Sequence, residues 1–319
     1  MWPIKTTPPT PAAPSGGSPT DPDGSSAANA RAWLAFTTCG AIWGSTFLVI
    51  SIGNDAMAPV WAAALRLMLA TVLLTAWGAA RGVRIPRGAA LRAALGYGLG
   101  QFGINFPLLY WAERIVPSGL AAVFYATIPL STALLTHALG MEQLTAGKMF
   151  GAILAFGGVT VLFSSSLRGD VPLIGLLTVF TAATMAGIGT VLLKRGPRQS
   201  PIGANAVGSA LGAVITLAIS FAIGEPHVLP TTPGAAFPLL YLTIAGSLGA
   251  FVIMSWLVNH WSVTRTSYVS VIVPVLALGL GALFRKERLT WLSLVGSTMV
   301  LVGLVIGMRG GTRRADRRT

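Results

Sequence analysis

The sequence predicts an all-α polytopic membrane protein, with ten transmembrane helices in two inverted five-helix repeats around a central cavity. Three observations carry that expectation. First, 53% of the 319 residues are apolar and only 10% are charged, with a mean hydropathy of +0.72, whereas a soluble domain carries about a quarter charged residues. Second, ten mostly apolar stretches lie near 33–52, 59–80, 90–112, 117–138, 146–165, 172–193, 202–223, 237–259, 264–284 and 289–308. Each is long enough to cross a hydrocarbon core of roughly 30 Å as a helix, and none shows the alternation of a membrane β-barrel strand. Third, the chain repeats itself at an offset of 145 residues: Trp111, Pro129, Leu135, Glu142, Leu144, Thr145, Gly151 and Gly158 recur as Trp256, Pro274, Leu280, Glu287, Leu289, Thr290, Gly296 and Gly303. Such a repeat marks a duplicated unit. An odd number of spans before the second copy turns it upside down, an architecture found in secondary transporters.

The elements follow in order. Residues 1–30, rich in Pro, Ser, Gly, Ala and Thr, lack the apolar run of a signal peptide and are expected to form a disordered cytoplasmic tail. The first five-helix repeat is assigned to 31–166. Its first span carries Trp43-Gly44-Ser45-Thr46 at mid-depth, where the small neighbours of the indole leave room for a partner, so Trp43 and Ser45 are cavity candidates. The second span opens at Pro59 and carries Arg66 roughly 10 Å along its axis. Arg66 either receives a substrate carboxylate, or snorkels outward or bonds backbone carbonyls at helix ends.

In the third span Tyr97, Gln101 and Asn105 recur at i, i+4 and i+8 and so share one helix face. The fourth adds Tyr125, Thr127 and Ser131 around Pro129, a mid-helix proline that deletes a backbone hydrogen bond and makes a hinge. Thr145 N-caps the fifth span, with Glu142 favourably close to the same helix N-terminus.

The second repeat is assigned to 167–309. Its seventh span brings glycines at four-residue spacing, Gly208 and Gly212, as other spans do with Gly96 and Gly100, Gly147 and Gly151, and Gly303 and Gly307. These positions mark close helix approach, either within the bundle or in a weak homodimer of an otherwise monomeric chain. The longest loop, 224–236, contains Pro226, Pro230 and Pro233. Ser247, Ser255, Trp256 and Asn259 follow in the eighth span, and Ser267, Tyr268 and the hinge Pro274 in the ninth. Single hydroxyls in membrane helices often bond only their own preceding turn; their convergence on the proline-bearing repeat helices is what makes a polar cavity. The tenth span repeats the Glu287, Thr290 capping pattern. The basic tail 310–319 either lies against anionic lipid headgroups or anchors topology.

Charge serves topology here. A net charge of +13 would point to nucleic acid in a soluble protein, but most of the 22 Lys and Arg sit at span ends that share one side if the N-terminus is inside, among them Arg81, Arg84, Arg87, Arg92, Lys194, Arg195 and Arg198. Both termini are therefore expected in the cytoplasm of a multi-pass protein of the cytoplasmic (inner) membrane. Arg285, Lys286 and Arg288 break the rule. Nucleic acid is not an expected partner; the bilayer and a small-molecule substrate are.

Several function classes fall away. One cysteine, Cys39, allows no intrachain disulfide or multi-cysteine metal site, and His137, His227 and His260 are too scattered for a metal. No cofactor is implied. No span interior holds Asp, Glu or Lys, so neither a membrane-embedded enzyme nor an intramembrane proton relay has its usual groups. A phosphate-binding loop of the GxxxxGK[ST] type is missing, which leaves no site for ATP energisation within the chain.

These residues also carry a family resemblance. Trp43-Gly44-Ser45, Pro59 followed by Ala64-Leu65-Arg66, and the two in-phase segments Pro129 to Gly158 and Pro274 to Gly303 are similar to the drug/metabolite transporter superfamily, in its EamA-like ten-helix group. The likeness spans 33–308. It implies export or exchange of amino acids and related metabolites by alternating access; another organic metabolite or drug-like compound, or a non-transporting scaffold, is the alternative. The first-helix glutamate of the superfamily's small multidrug exporters has no counterpart in 33–52, and a lone Arg66 counts against phosphorylated substrates.

Overall fold

A computed structural model describes residues 22–140, 144–164, 171–250, 253–254, 257 and 269–312. Among these the regular structure is entirely helical. The helices are α1 (Pro22–Gly53), α2 (Pro59–Ala80), α3 (Ala89–Gly98), α4 (Asn105–Ala112), α5 (Ser118–Tyr125), α6 (Ile128–Ala138), α7 (Ala146–Ser164), α8 (Leu173–Arg195), α9 (Pro201–Ala222), α10 (Pro233–Tyr241), α11 (Val269–Arg285) and α12 (Trp291–Thr312). Among the described residues five stretches are long and apolar enough to cross a membrane: Ala30–Gly53, Pro59–Ala80, Ser118–Ala138, Leu173–Arg195 and Pro201–Ala222. Shorter apolar helices occupy 146–162, 233–249, 271–285 and 291–307.

Local chemistry explains the boundaries. Pro59, Pro201 and Pro233 stand in first turns, where the missing N–H has no helical partner to lose. From Pro22, the first described residue, α1 runs through Ala27, Ala28 and Ala30, residues assigned to the N-terminal tail in the sequence.

The third apolar run departs from a regular helix. A π-helical segment, Leu99–Ile104, separates α3 from α4. Pro107 cannot donate to Gly103 and its ring crowds that turn, which favours the wider spiral. A second π segment, Leu242–Gly249, follows α10, which holds Pro238. Adding the repeat offset to the first segment (99 + 145 = 244, 104 + 145 = 249) lands inside the second, so the duplication extends to this irregularity.

The matched prolines behave differently. Pro274 sits inside α11. Pro129 lies in the first turn of α6, directly after a break at Ala126 and Thr127 within the Ser118–Ala138 stretch.

Several of these glycines pack against other helices of the chain. A methyl on Gly151 would overlap the Gly303 carbonyl oxygen, and one on Gly158 would lie 2.6 Å from that of Gly296, so α7 and α12 touch backbone to backbone. Gly100 meets Gly189 of α8, Gly208 meets Gly98, and Gly212 meets Phe102.

Charge divides between the two ends of the bundle. At one end Asp55 pairs with Arg285, Asn54 donates to the Tyr110 carbonyl, and Glu225 accepts from the Val60 and Trp61 amides at the start of α2. At the other, Gly203 packs on Arg84 and Pro86, and Gln199 donates to the Ala90 carbonyl, which gathers the basic loops 81–92 and 194–198.

Candidate functional site

A cavity of about 310 Å³ lies where the polar positions of the first repeat converge. Trp43, Thr46, Phe47 and Ile50 of α1 form one wall, and Arg66 of α2 enters from another. The segment from α3 to α4 adds Tyr97, Gln101, Phe102, Asn105 and Phe106. Tyr125 at the end of α5 faces them, while Gly246, Ser247, Val273 and Pro274 close the cavity from the second half. An aromatic and aliphatic wall with few polar groups is the usual composition of a small-molecule site, and this volume sits at its small end.

Arg66 is 6% exposed. It does not snorkel, and its bonds run to hydroxyls instead of backbone carbonyls. Nε donates to Ser247 Oγ at 3.3 Å and Nη1 to the Tyr110 hydroxyl at 3.1 Å, while the guanidinium carbon stands 4.9 Å from the Phe106 ring centre. No carboxylate pairs with it among the described residues. The bare Cα of Gly246 makes the room: a methyl there would meet Nη2 at 3.3 Å and the Thr46 methyl at 3.2 Å. Nη2 keeps its donors free of hydrogen bonds among the described residues. A buried cation held by neutral groups, with donors to spare at a cavity wall, attracts a carboxylate.

The amide stripe lines the cavity but is already engaged. Asn105 is fully buried; its Nδ2 donates to the Gln101 carbonyl at 3.0 Å and its Oδ1 accepts from the Tyr125 hydroxyl. Tyr97 donates to Asn205 Oδ1 at 3.2 Å. The Gln101 side chain makes no hydrogen bond among the described residues and is the adaptable member of the set. The structure brings together Trp43, Arg66, Tyr97, Gln101, Asn105, Tyr125 and Pro274 of the sequence candidates. It leaves Ser45 bonded to the Ile42 carbonyl and the Tyr241 hydroxyl, and Ser131 bonded back to the Thr127 carbonyl, both off the cavity lining. Ser255, Trp256, Ser267 and Tyr268 lie outside the described residues.

Sequence reasoning missed Thr46, Phe106, Tyr110 and Ser247 as the surroundings of Arg66. Ser247 appeared among the hydroxyls of the eighth span, but nothing local joins it to the second.

The capping pattern needs a correction. Thr145 and Thr290 do accept N-terminal amides, from Lys148 at 3.3 Å and Ser293 at 3.1 Å. Glu287, expected beside its own helix start, instead reaches across to α5: Oε1 accepts from the Ser118 amide at 2.9 Å and hydroxyl at 2.7 Å, and Oε2 from the Gly119 amide at 3.3 Å. A foreign N-terminus supplies the same unpaired amides as a helix's own. Glu142 lies outside the described residues.

Comparison with known proteins places the chain among transporters. The EamA-like transporter family matches residues 31–164 and 173–308, once for each half. A protein of Escherichia coli (strain K12) named "Probable amino-acid metabolite efflux pump" is 29% identical over 280 residues, covering 84% of this chain and 92% of the relative. The "Uncharacterized inner membrane transporter YedA" of the same organism is 28% identical over 271 residues, with 83% and 88% covered, and "Uncharacterized transporter YoaV" of Bacillus subtilis (strain 168) is 26% identical over 281, with 86% and 95% covered. A solved crystal structure, 20% identical, covers 90% of this chain and 98% of its own with a TM-score of 0.61, which shows a shared fold.

Proposed function

Because the chain belongs to the EamA-like transporter family, a membrane-embedded carrier of small molecules, we propose that it is a secondary transporter that exports or exchanges small metabolites bearing a carboxylate, amino acids foremost, by alternating access. The observation that carries this reading is Arg66, a cation buried in the cavity wall with unused donors and no carboxylate partner among the described residues. A substrate carboxylate docks on its fork, Gln101 serves the polar remainder, and Phe47, Phe102 and Val273 take an apolar side chain. The relative named for amino-acid metabolite efflux supports the substrate class and the direction.

The same proposal assigns ten spans to two inverted repeats, 31–166 and 167–309, with both termini cytoplasmic. The gathering of basic loops at one end and the matched π segments support it. The deciding experiment is uptake of a panel of radiolabelled amino acids into proteoliposomes, with and without a pH gradient. Saturable uptake of a panel member is expected. No uptake of any member by demonstrably folded protein would remove the amino-acid reading.

A further inference from the structure

Among the described residues Glu113 is the buried carboxyl group, and the cavity does not use it. It lies in the turn between α4 and α5, just past the end of its helix, and is 5% exposed. Both carboxyl oxygens are buried, and neither has a hydrogen-bond partner among the described residues. A carboxylate so placed has lost its water without replacement, a state that protonation relieves.

The surroundings are specific. The start of α5 holds Glu287 as a carboxylate on the Ser118 and Gly119 amides, and that charge acts on Glu113. Arg66 of α2 acts in the opposite sense, and Tyr110 of α4 and Tyr125 of α5 lie within the field of Glu113. Burial first, then Glu287, holds the Glu113 carboxyl well above the usual carboxylate range against the pull of Arg66. Arg285, which also feels Glu287, is turned to Asp55.

Glu287 belongs to the link between α11 and α12, so its bonds to Ser118 and Gly119 tie the second half of the chain to the first. Its carboxylate also fills the space over Gly281, and next to it Gly119 seats Leu278 of α11. We propose that Glu113 is a proton-binding site that controls this latch. Neutral Glu113 lets Glu287 hold the start of α5; on release of its proton to water, a second negative charge beside Glu287 loosens the contact. The ligand is a proton, and the latched end is a gate only on the transporter reading above, whereas the proton site itself stands without it.

The test uses purified full-length protein without substrate, so its failure is separate from a failure to find transport. Infrared spectra of wild type at neutral pH should show the carbonyl stretch of a protonated buried carboxyl group, lost in Glu113→Gln and kept in Asp55→Asn. In Glu287→Gln, which removes the neighbouring charge, that band should vanish at a pH lower by roughly one unit or more. Latch opening is read from a Leu278→Cys variant lacking Cys39: its labelling rate, divided by the rate in the same background with Glu113→Gln, should rise several-fold as pH is raised. A wild type without the band, or a band that survives Glu113→Gln, overturns the proton site. A rate ratio that stays at one across pH overturns control of the latch, and if Glu113→Gln does not fold, an unshifted band in Glu287→Gln overturns the coupling.

Discussion

Replacing Arg66 by lysine keeps the charge and removes the fork. In the structure Nε and Nη1 are committed to Ser247 and Tyr110, and Nη2 remains for a ligand. A lysine has one ammonium to serve all three directions, so it either abandons its two anchors or points away from the substrate. Losing one charge-assisted hydrogen bond costs about 1.5–3 kcal/mol, roughly a tenfold to hundredfold loss of affinity. Two ligands isolate the carboxylate. A free amino acid should bind the Lys variant weakly, whereas its amide, already poor for wild type, should lose little more. The assay is competition against a transported radiolabelled substrate in proteoliposomes, with thermal midpoints recorded to show that the fold survives. A Lys variant with wild-type affinity for free and amidated forms alike would refute the clamp.

Other perturbations reach different parts of the molecule. Gln101→Ala should weaken substrate affinity about three- to tenfold, equivalent to one ordinary hydrogen bond, with an unchanged melting curve, whereas Asn105→Ala strands the Tyr125 hydroxyl and should lower the thermal midpoint as well; equal stability in the two variants would contradict this. Gly151→Ala should destabilise by about 1–3 kcal/mol because its methyl meets the Gly303 carbonyl, while Gly279→Ala, with open space around it, should be neutral in the same melt. The folded chain retains a proton on Glu113 that the unfolded chain releases near its ordinary value of about 4.3, so stability should fall as pH rises from there toward the raised folded value, then level off. Glu113→Gln should flatten that slope; a wild-type profile already as flat would argue against it. Single cysteines near Glu142 and Glu287, in a chain lacking Cys39, should be labelled from opposite faces of the membrane, and labelling from one face would undo the inverted topology.

What was legible in the sequence divides along the distance over which its signals act. Apolar runs and their proline starts, such as Pro59 and Pro201, are local, and the helices begin where those residues stand. Arg66 was visible as a lone cation in an apolar run, but its partners Ser247 and Tyr110 come from other elements and left no local signature. Helical-face arithmetic grouped Tyr97, Gln101 and Asn105, and they do share the cavity although a π segment lies between them. Glu287 misled because the nearest helix start in sequence is not the one it caps. Glu113 falls between the third and fourth apolar runs and carried no expectation, yet it is buried in the turn before α5.

The seam between α7 and α12 governs how a chain of this kind can diverge. At Gly151, Gly158, Gly296 and Gly303 the alphabet has one letter, since even a single methyl would overlap the opposing backbone. Phe47, Phe102 and Val273, by contrast, meet the cavity with side chains, and open volume absorbs a change of size there. A lineage can therefore exchange wall residues and acquire a new cargo while the seam stays fixed. Cargo and scaffold are written in different residues, so one can drift without disturbing the other.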